Sequence, residues 1–279
     1  MAYTQPRAPD EHGGISLYLL CRSRPVAVVL LVLLSSHVIV QAQALAFRHA
    51  RDLLAHEPPA FIELLEAARP APVSPEDMSA ILRALPPEGE VTKLGAPARQ
   101  KVDAVRQLLM ATRRDWYEIK VIDLPAAGIA LHARAVVLIF APTIALLSAA
   151  ELQALAAHEI GHEYVWTEWH RARDHADQQR LKELELVCDA IAAVTLRQRR
   201  LDPTRVIDAI EKVTRFNRQL FGSAVNEKNY PTVAERRAFA RQVQGWMQDS
   251  SWRSRVVDGR HLADSRCAGP LPVCADVDR

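Results

Sequence analysis

The sequence predicts an α+β protein, mostly helical, with a small β-sheet beside one central helix. Three observations carry that expectation. Residues 117–124 and 135–140 are β-branched and apolar, with Pro125 and Gly128 between them, which reads as two or three short strands. From Ser148 onward the apolar spacing is helical throughout. Ahead of the strands, a run of prolines breaks the chain into short helices joined by turns. In a chain of 279 residues, 49% apolar and 24% charged residues suffice to build a core. The formal net charge is +2 with no long run of one sign, so no nucleic-acid partner is expected. The small cluster Arg197, Arg199 and Arg200 reads as the C-terminal end of a helix, where cations complement the dipole.

Residues 1–44 read as an export segment. A polar lead to Arg24 precedes the apolar run 26–40, which is shorter than the roughly 20 residues that span a bilayer. Ala42-Gln43-Ala44 then has the small-x-small form of a signal-peptidase site. A cleaved signal peptide is the first expectation. An uncleaved anchor, with membrane association through residues 26–44, is the second. Both place the remainder outside the cytoplasm: periplasmic, secreted, or anchored and facing outward.

Residues 45–97 form a Pro-rich helical N-terminal segment. Within it Ser74-Pro75-Glu76-Asp77 starts a helix, with serine as cap and proline in the first turn, and that helix should end before Pro86. Residues 98–249 form the main domain. Its first helix, at about 98–113, carries Val102, Val105, Leu108 and Leu109 at helical spacing. After the strands, Ser148-Ala-Ala-Glu151 is a capping box whose helix should run to about Trp169. Further helices are expected at about 178–199, then from Asp202-Pro203 to about Leu220. A last helix runs from the box Thr232-Val-Ala-Glu235 to about Met247. Residues 250–279 read as a loosely structured tail in which Cys267 and Cys274 are placed to pair, as an oxidising compartment permits. Cys188 sits in an apolar helix and reads as a small buried thiol. There is no CxxC, which argues against a cysteine-based metal site.

The central helix contains "ALAAHEIGHEYVW", residues 154–166. His158 and His162 are one turn apart on one face, so both imidazoles can reach one metal ion. Glu159 is rotated by about 100°, near enough to hold a water there without binding the metal. Gly161 weakens the helix and marks a close approach by another element. Val165 and Glu168 stand where a metzincin needs glycine and histidine, which removes that class.

Downstream, "RLKELELVCDAIAAVTL" is apolar over most of its circumference, yet carries Glu185 and Asp189 four apart on one face. Two buried carboxylates need a cation or strong donors. Zinc for Glu185 and a histidine N–H for Asp189 would meet that need. A buried ion pair with an arginine such as Arg236 would also meet it. Glu183 is the alternative ligand, but it points to the opposite side of the helix.

"HEIGH" followed by "ELELVCDAIA" resembles the gluzincin metallopeptidases of the CAAX prenyl protease and HtpX type over about residues 75–245. The resemblance implies a zincin-like metallopeptidase domain with the sheet beside the active-site helix. It implies Zn2+ held by His158, His162 and Glu185, with Glu159 as general base and Asp189 behind a ligand. Pro231 and Arg236 match a later element of the family, where Tyr230 replaces its histidine and becomes the expected oxyanion donor. The family's asparagine near the strands is missing, and "AAGIAL" stands instead. With at most one spanning segment, the chain looks like a soluble-domain relative.

The expected chemistry is endopeptidase cleavage of a protein or peptide substrate by a metal-activated water, with residues 136–140 pairing with the substrate backbone. A zinc-binding but non-proteolytic envelope assembly module is the alternative. A metal-free helical interaction domain is the third reading. His170 and His175 are expected to be solvated, and His132 to lie in a turn between strands. Trp166 and Trp169 are expected to serve as packing aromatics, and Tyr164 to sit on the far side of the motif helix.

Overall fold

Serine, threonine and proline set the helix starts. Ser74 Oγ accepts the Asp77 N–H at 3.1 Å. At Ser148 both halves of the capping box are made, with the Glu151 N–H on Ser148 Oγ and the Ser148 N–H on Glu151 Oε2. Thr232 and Glu235 repeat that exchange. The computed structural model describes residues 47–85, 89–222 and 228–248; the expected export segment 1–44 and the tail with Cys267 and Cys274 lie outside the described residues.

After a 3₁₀ turn at Ala50–Ala55, the chain forms α1 (Pro58–Ala67), α2 (Pro75–Ala84) and α3 (Ala96–Ala111). Three strands follow, β1 (Glu118–Ile122), β2 (Ile129–His132) and β3 (Val136–Phe140). The rest is α4 (Ala141–Leu146), α5 (Ala149–Asp174), α6 (Gln178–Gln198), α7 (Arg205–Phe221) and α8 (Val233–Gln248). The protein is therefore α+β, mostly helical, with a small mixed sheet. No helix among the described residues is long and apolar enough to cross a membrane.

The strand order is β1-β3-β2, with β1 parallel and β2 antiparallel to β3. This corrects one expectation. β3 is paired on both sides, so residues 136–140 have no free edge for a substrate strand; β2 is an edge strand instead. His132 is also corrected: it ends β2 opposite Val136 rather than lying in the turn. The turn is Ala133-Arg134, both at positive φ (49° and 55°), closed by the Ala135 N–H on His132 O at 2.9 Å. Because His132 pairs with Val136, the connection is three residues long, with Ala135 left over after the two positive-φ residues.

The alternating sides of β3 feed two cores. Val137 and Ile139 join the main core, whereas Val136, Leu138 and Phe140 face a smaller cluster covered by Met78, Ile81 and Leu82 of α2. Before α2, the Pro-rich segment is built into the main core: Phe47, Leu53, Phe61 and Leu65 are buried there. Glu183 serves that segment, accepting the Ala50 N–H at 2.7 Å, and so stands on the side of α6 away from the histidines, as its rotation predicts.

α5 is the centre of the fold and packs most extensively on α6, then on α3 and α7. Gly161 explains how close α5 and α6 come. A Cβ there would stand 2.7 Å from Cys188 Cα and 2.9 Å from its Cβ, inside hard contact with backbone. Gly161→Ala should therefore destabilise the protein by ~1–3 kcal/mol through overpacking, despite a helix-propensity gain of up to ~1 kcal/mol. Chemical denaturation measures the difference, and an alanine variant as stable as wild type would contradict the packing described.

On another side of α5, Arg114 ties the end of α3 to the helix. Its Nε donates to Glu163 Oε2 at 2.7 Å, Nη1 to Thr112 O at 2.9 Å and Nη2 to the Tyr164 hydroxyl at 2.8 Å. Tyr164 is thus on the far side from the motif, as expected.

Candidate metal centre

The site is built where one stripe of α5 meets one face of α6. His158, Glu159 and His162 form a group whose ligand atoms all lie within 4.8 Å of one another, close enough to hold a metal ion. His158 is buried, whereas Glu159 and His162 are half-buried, so the group opens on one side.

Glu185 on α6 faces both imidazoles. Its Oε2 is 3.3 Å from His158 Nε2 and its Oε1 is 3.5 Å from His162 Nε2. Asp189, one turn on, stands behind His158, with Oδ1 2.9 Å from Nδ1, though that ring N–H is not aimed squarely at it. A carboxylate at Nδ1 leaves Nε2 to face Glu185 and the opening. Both acids are buried, at 2% and 5% exposure.

The arginine alternative is present as well. Arg236 of α8 puts Nη1 on both Asp189 oxygens, at 2.6 and 2.7 Å, and Nη2 on Glu185 Oε2 at 2.9 Å. Glu185 therefore has both partners the sequence offers, histidines on one side and guanidinium on the other. Trp169 adds a second hydrogen-bond donor beside Arg236, its indole N–H to Glu185 Oε1 at 3.3 Å. Trp169 is not a packing aromatic alone, which corrects that expectation. His170 is corrected too: α5 continues to Asp174, and His170 is half-buried edge-on to Trp166 and Trp169, where burial pushes it down to about 4. His175 is exposed, as expected.

The electrostatics separate the two histidines. Burial pulls His158 down, but Asp189 and Glu185 more than reverse this, pushing it up to about 10. His162 is pushed down to about 4 by burial, with His158 and Arg236 adding to the effect. Burial would raise Glu185; His162, His158 and Arg236 instead hold it well below the usual carboxylate range. Glu159 is pushed up by burial to about 7. Three carboxylates thus meet one guanidinium, and in the metal-free cluster the His158 proton supplies further positive charge. A divalent cation could replace that proton and neutralise the group.

Glu159 is held from the sheet. The Leu131 N–H on the outer edge of β2 donates to Glu159 Oε2 at 3.0 Å. Tyr230 is half-buried, three residues before α8. Sequence reasoning missed Trp169, although it lies seven positions after His162 and so on nearly the same helical stripe. It also missed the Leu131 N–H, for which no side-chain signal exists. Comparison with protein-family models, with curated protein sequences and with solved structures returned no match.

Proposed function

We propose that this protein is a zinc-dependent endopeptidase with a zincin-like fold, in which His158, His162 and Glu185 hold the ion and Glu159 is the general base. The observation that carries the reading is the stand-off of Glu185. Its oxygens lie 3.3 and 3.5 Å from the two Nε2 atoms. Charge-assisted hydrogen bonds are shorter, about 2.7–2.9 Å. Ligands about 2.0–2.1 Å from a tetrahedral zinc lie about 3.3–3.4 Å from one another, and each Nε2 has one Glu185 oxygen at about that distance, Oε2 for His158 and Oε1 for His162. Two imidazoles with one carboxylate and an open side match a catalytic zinc site better than the all-oxygen sites of calcium or magnesium.

When bound, zinc supplies Lewis acidity, lowering the pKa of a water and polarising a carbonyl. The remaining work belongs to the chain. The Glu159 carboxylate, beside the two histidines, can take a proton from water and return it to the leaving amine. The Leu131 N–H fixes one of its oxygens, so the carboxylate keeps one orientation. Asp189 and Arg236 orient His158 and Glu185. An extended substrate would align along the outer edge of β2, whose backbone is already directed at Glu159. The Tyr230 hydroxyl is proposed as the oxyanion donor, on the segment leading into the helix that delivers Arg236. The substrate is a protein or peptide, met outside the cytoplasm.

The test is zinc content and casein cleavage by the purified protein. One zinc per chain is expected, with cleavage abolished by a chelator and restored by added zinc. Zinc-loaded protein that cleaves nothing would favour a non-proteolytic zinc module. A chain that takes up no zinc would favour the Arg236 ion-pair core alone.

A further inference from the structure

We propose that Trp169 is a positioning residue of the metal centre, holding Glu185 and His162 in the arrangement that receives the ion; this rests on the zinc site proposed above. The two oxygens of Glu185 are each held by one donor outside the histidine pair. Arg236 Nη2 is on Oε2 at 2.9 Å, and the Trp169 indole N–H is on Oε1 at 3.3 Å. Those donors sit on the two oxygens that face His158 and His162 respectively. Together they fix the rotation of the carboxylate about its last bond, a torsion that is otherwise broad.

Trp169 touches His162 as well. The rings are edge to face, with centroids 5.9 Å apart and planes at 86°. The indole therefore limits both neighbours at once, the carboxylate by a hydrogen bond and the imidazole by ring contact. The tryptophan is itself held: the Arg173 guanidinium lies over its ring at 5.5 Å, and His170 packs edge-on at 5.5 Å. Arg236 already has Asp189 to satisfy it, so removing it would disturb two acids. Removing the Trp169 N–H disturbs only Glu185, which makes it the cleaner probe.

Trp169→Phe keeps a ring against His162 and deletes the N–H. Zinc chloride titrated into the full metal-free chain against a competing chelator should show affinity weakened about 10–100-fold, the range for partners that orient metal ligands. Trp166→Phe, a neighbouring tryptophan with no bond to a proposed ligand, should bind zinc as wild type does. Zinc should also change the tryptophan fluorescence of wild type and of Trp166→Phe, and leave that of Trp169→Phe nearly unchanged. A merely structural role would lower the unfolding midpoint without moving zinc affinity. If wild type binds one zinc and Trp169→Phe binds it equally well, the inference is overturned and the zinc site stands. If wild type binds none, both are overturned.

Discussion

Glu159→Gln is expected to lower kcat/KM for a casein-derived peptide by about 10²–10⁴-fold while leaving one zinc per chain. Glutamine has the same shape, and its carbonyl oxygen can still accept the Leu131 N–H that Glu159 accepts at 3.0 Å. What it cannot do is take a proton. The loss should therefore fall on turnover, with zinc affinity nearly unchanged. Stability supplies a second reading of the same variant. Burial raises the Glu159 carboxyl to about 7 in the folded, metal-free protein, from an unfolded value of 4.5. A raised carboxyl binds more protons folded than unfolded, so its contribution to stability is present below pH 4.5 and is lost as pH rises through 7. Glutamine does not titrate. Metal-free Glu159→Gln should then gain thermal stability relative to wild type above pH 7 and show no gain below 4.5. Cleavage equal to wild type would remove Glu159 from the chemistry.

Arg114→Met is expected to cost about 3–5 kcal/mol of folding stability, the range for breaking a buried ion pair from one side. Arg114 is 2% exposed, and its guanidinium serves Glu163, also 2% exposed, together with Thr112 O and the Tyr164 hydroxyl. Methionine fills much of the space and leaves a buried carboxylate without its cation. The double variant Arg114→Met/Glu163→Met should recover most of the loss, because replacing both partners by apolar groups removes the uncompensated charge. Denaturant unfolding of the metal-free proteins measures both. A loss under ~1 kcal/mol in the single variant would mean that the pair is solvated in solution.

The parts of the fold written in local chemistry were readable in advance. Ser74, Ser148 and Thr232 each meet a partner three residues on, and their helices start where the caps stand. The pairing of His158 with His162, and of Glu185 with Asp189, follows from the helical repeat alone. Gly161 signalled a close neighbour, and Cys188 is that neighbour.

What was not readable depends on distant partners or on backbone. The β2–β3 hairpin turns through Ala133 and Arg134, both at positive φ, with none of the glycine or asparagine that usually marks such a turn. Strand order is non-local, so nothing in residues 136–140 says that they take the middle of the sheet. α5 runs past Trp169 because no helix stop precedes Ala176, at φ 52°, and this carries His170 into a half-buried place. Arg236 was one candidate partner among several until the fold brought α8 to α6, 47 residues from Asp189.

One zinc ion is proposed to sit among His158, His162 and Glu185. A crystal structure of the zinc-loaded protein, with data on either side of the zinc absorption edge, tests it most directly. A single anomalous peak is expected about 2.0–2.1 Å from both Nε2 atoms and from a Glu185 oxygen, with Asp189 still at His158 Nδ1. An anomalous map with no peak there, with Arg236 alone serving Glu185, would contradict it.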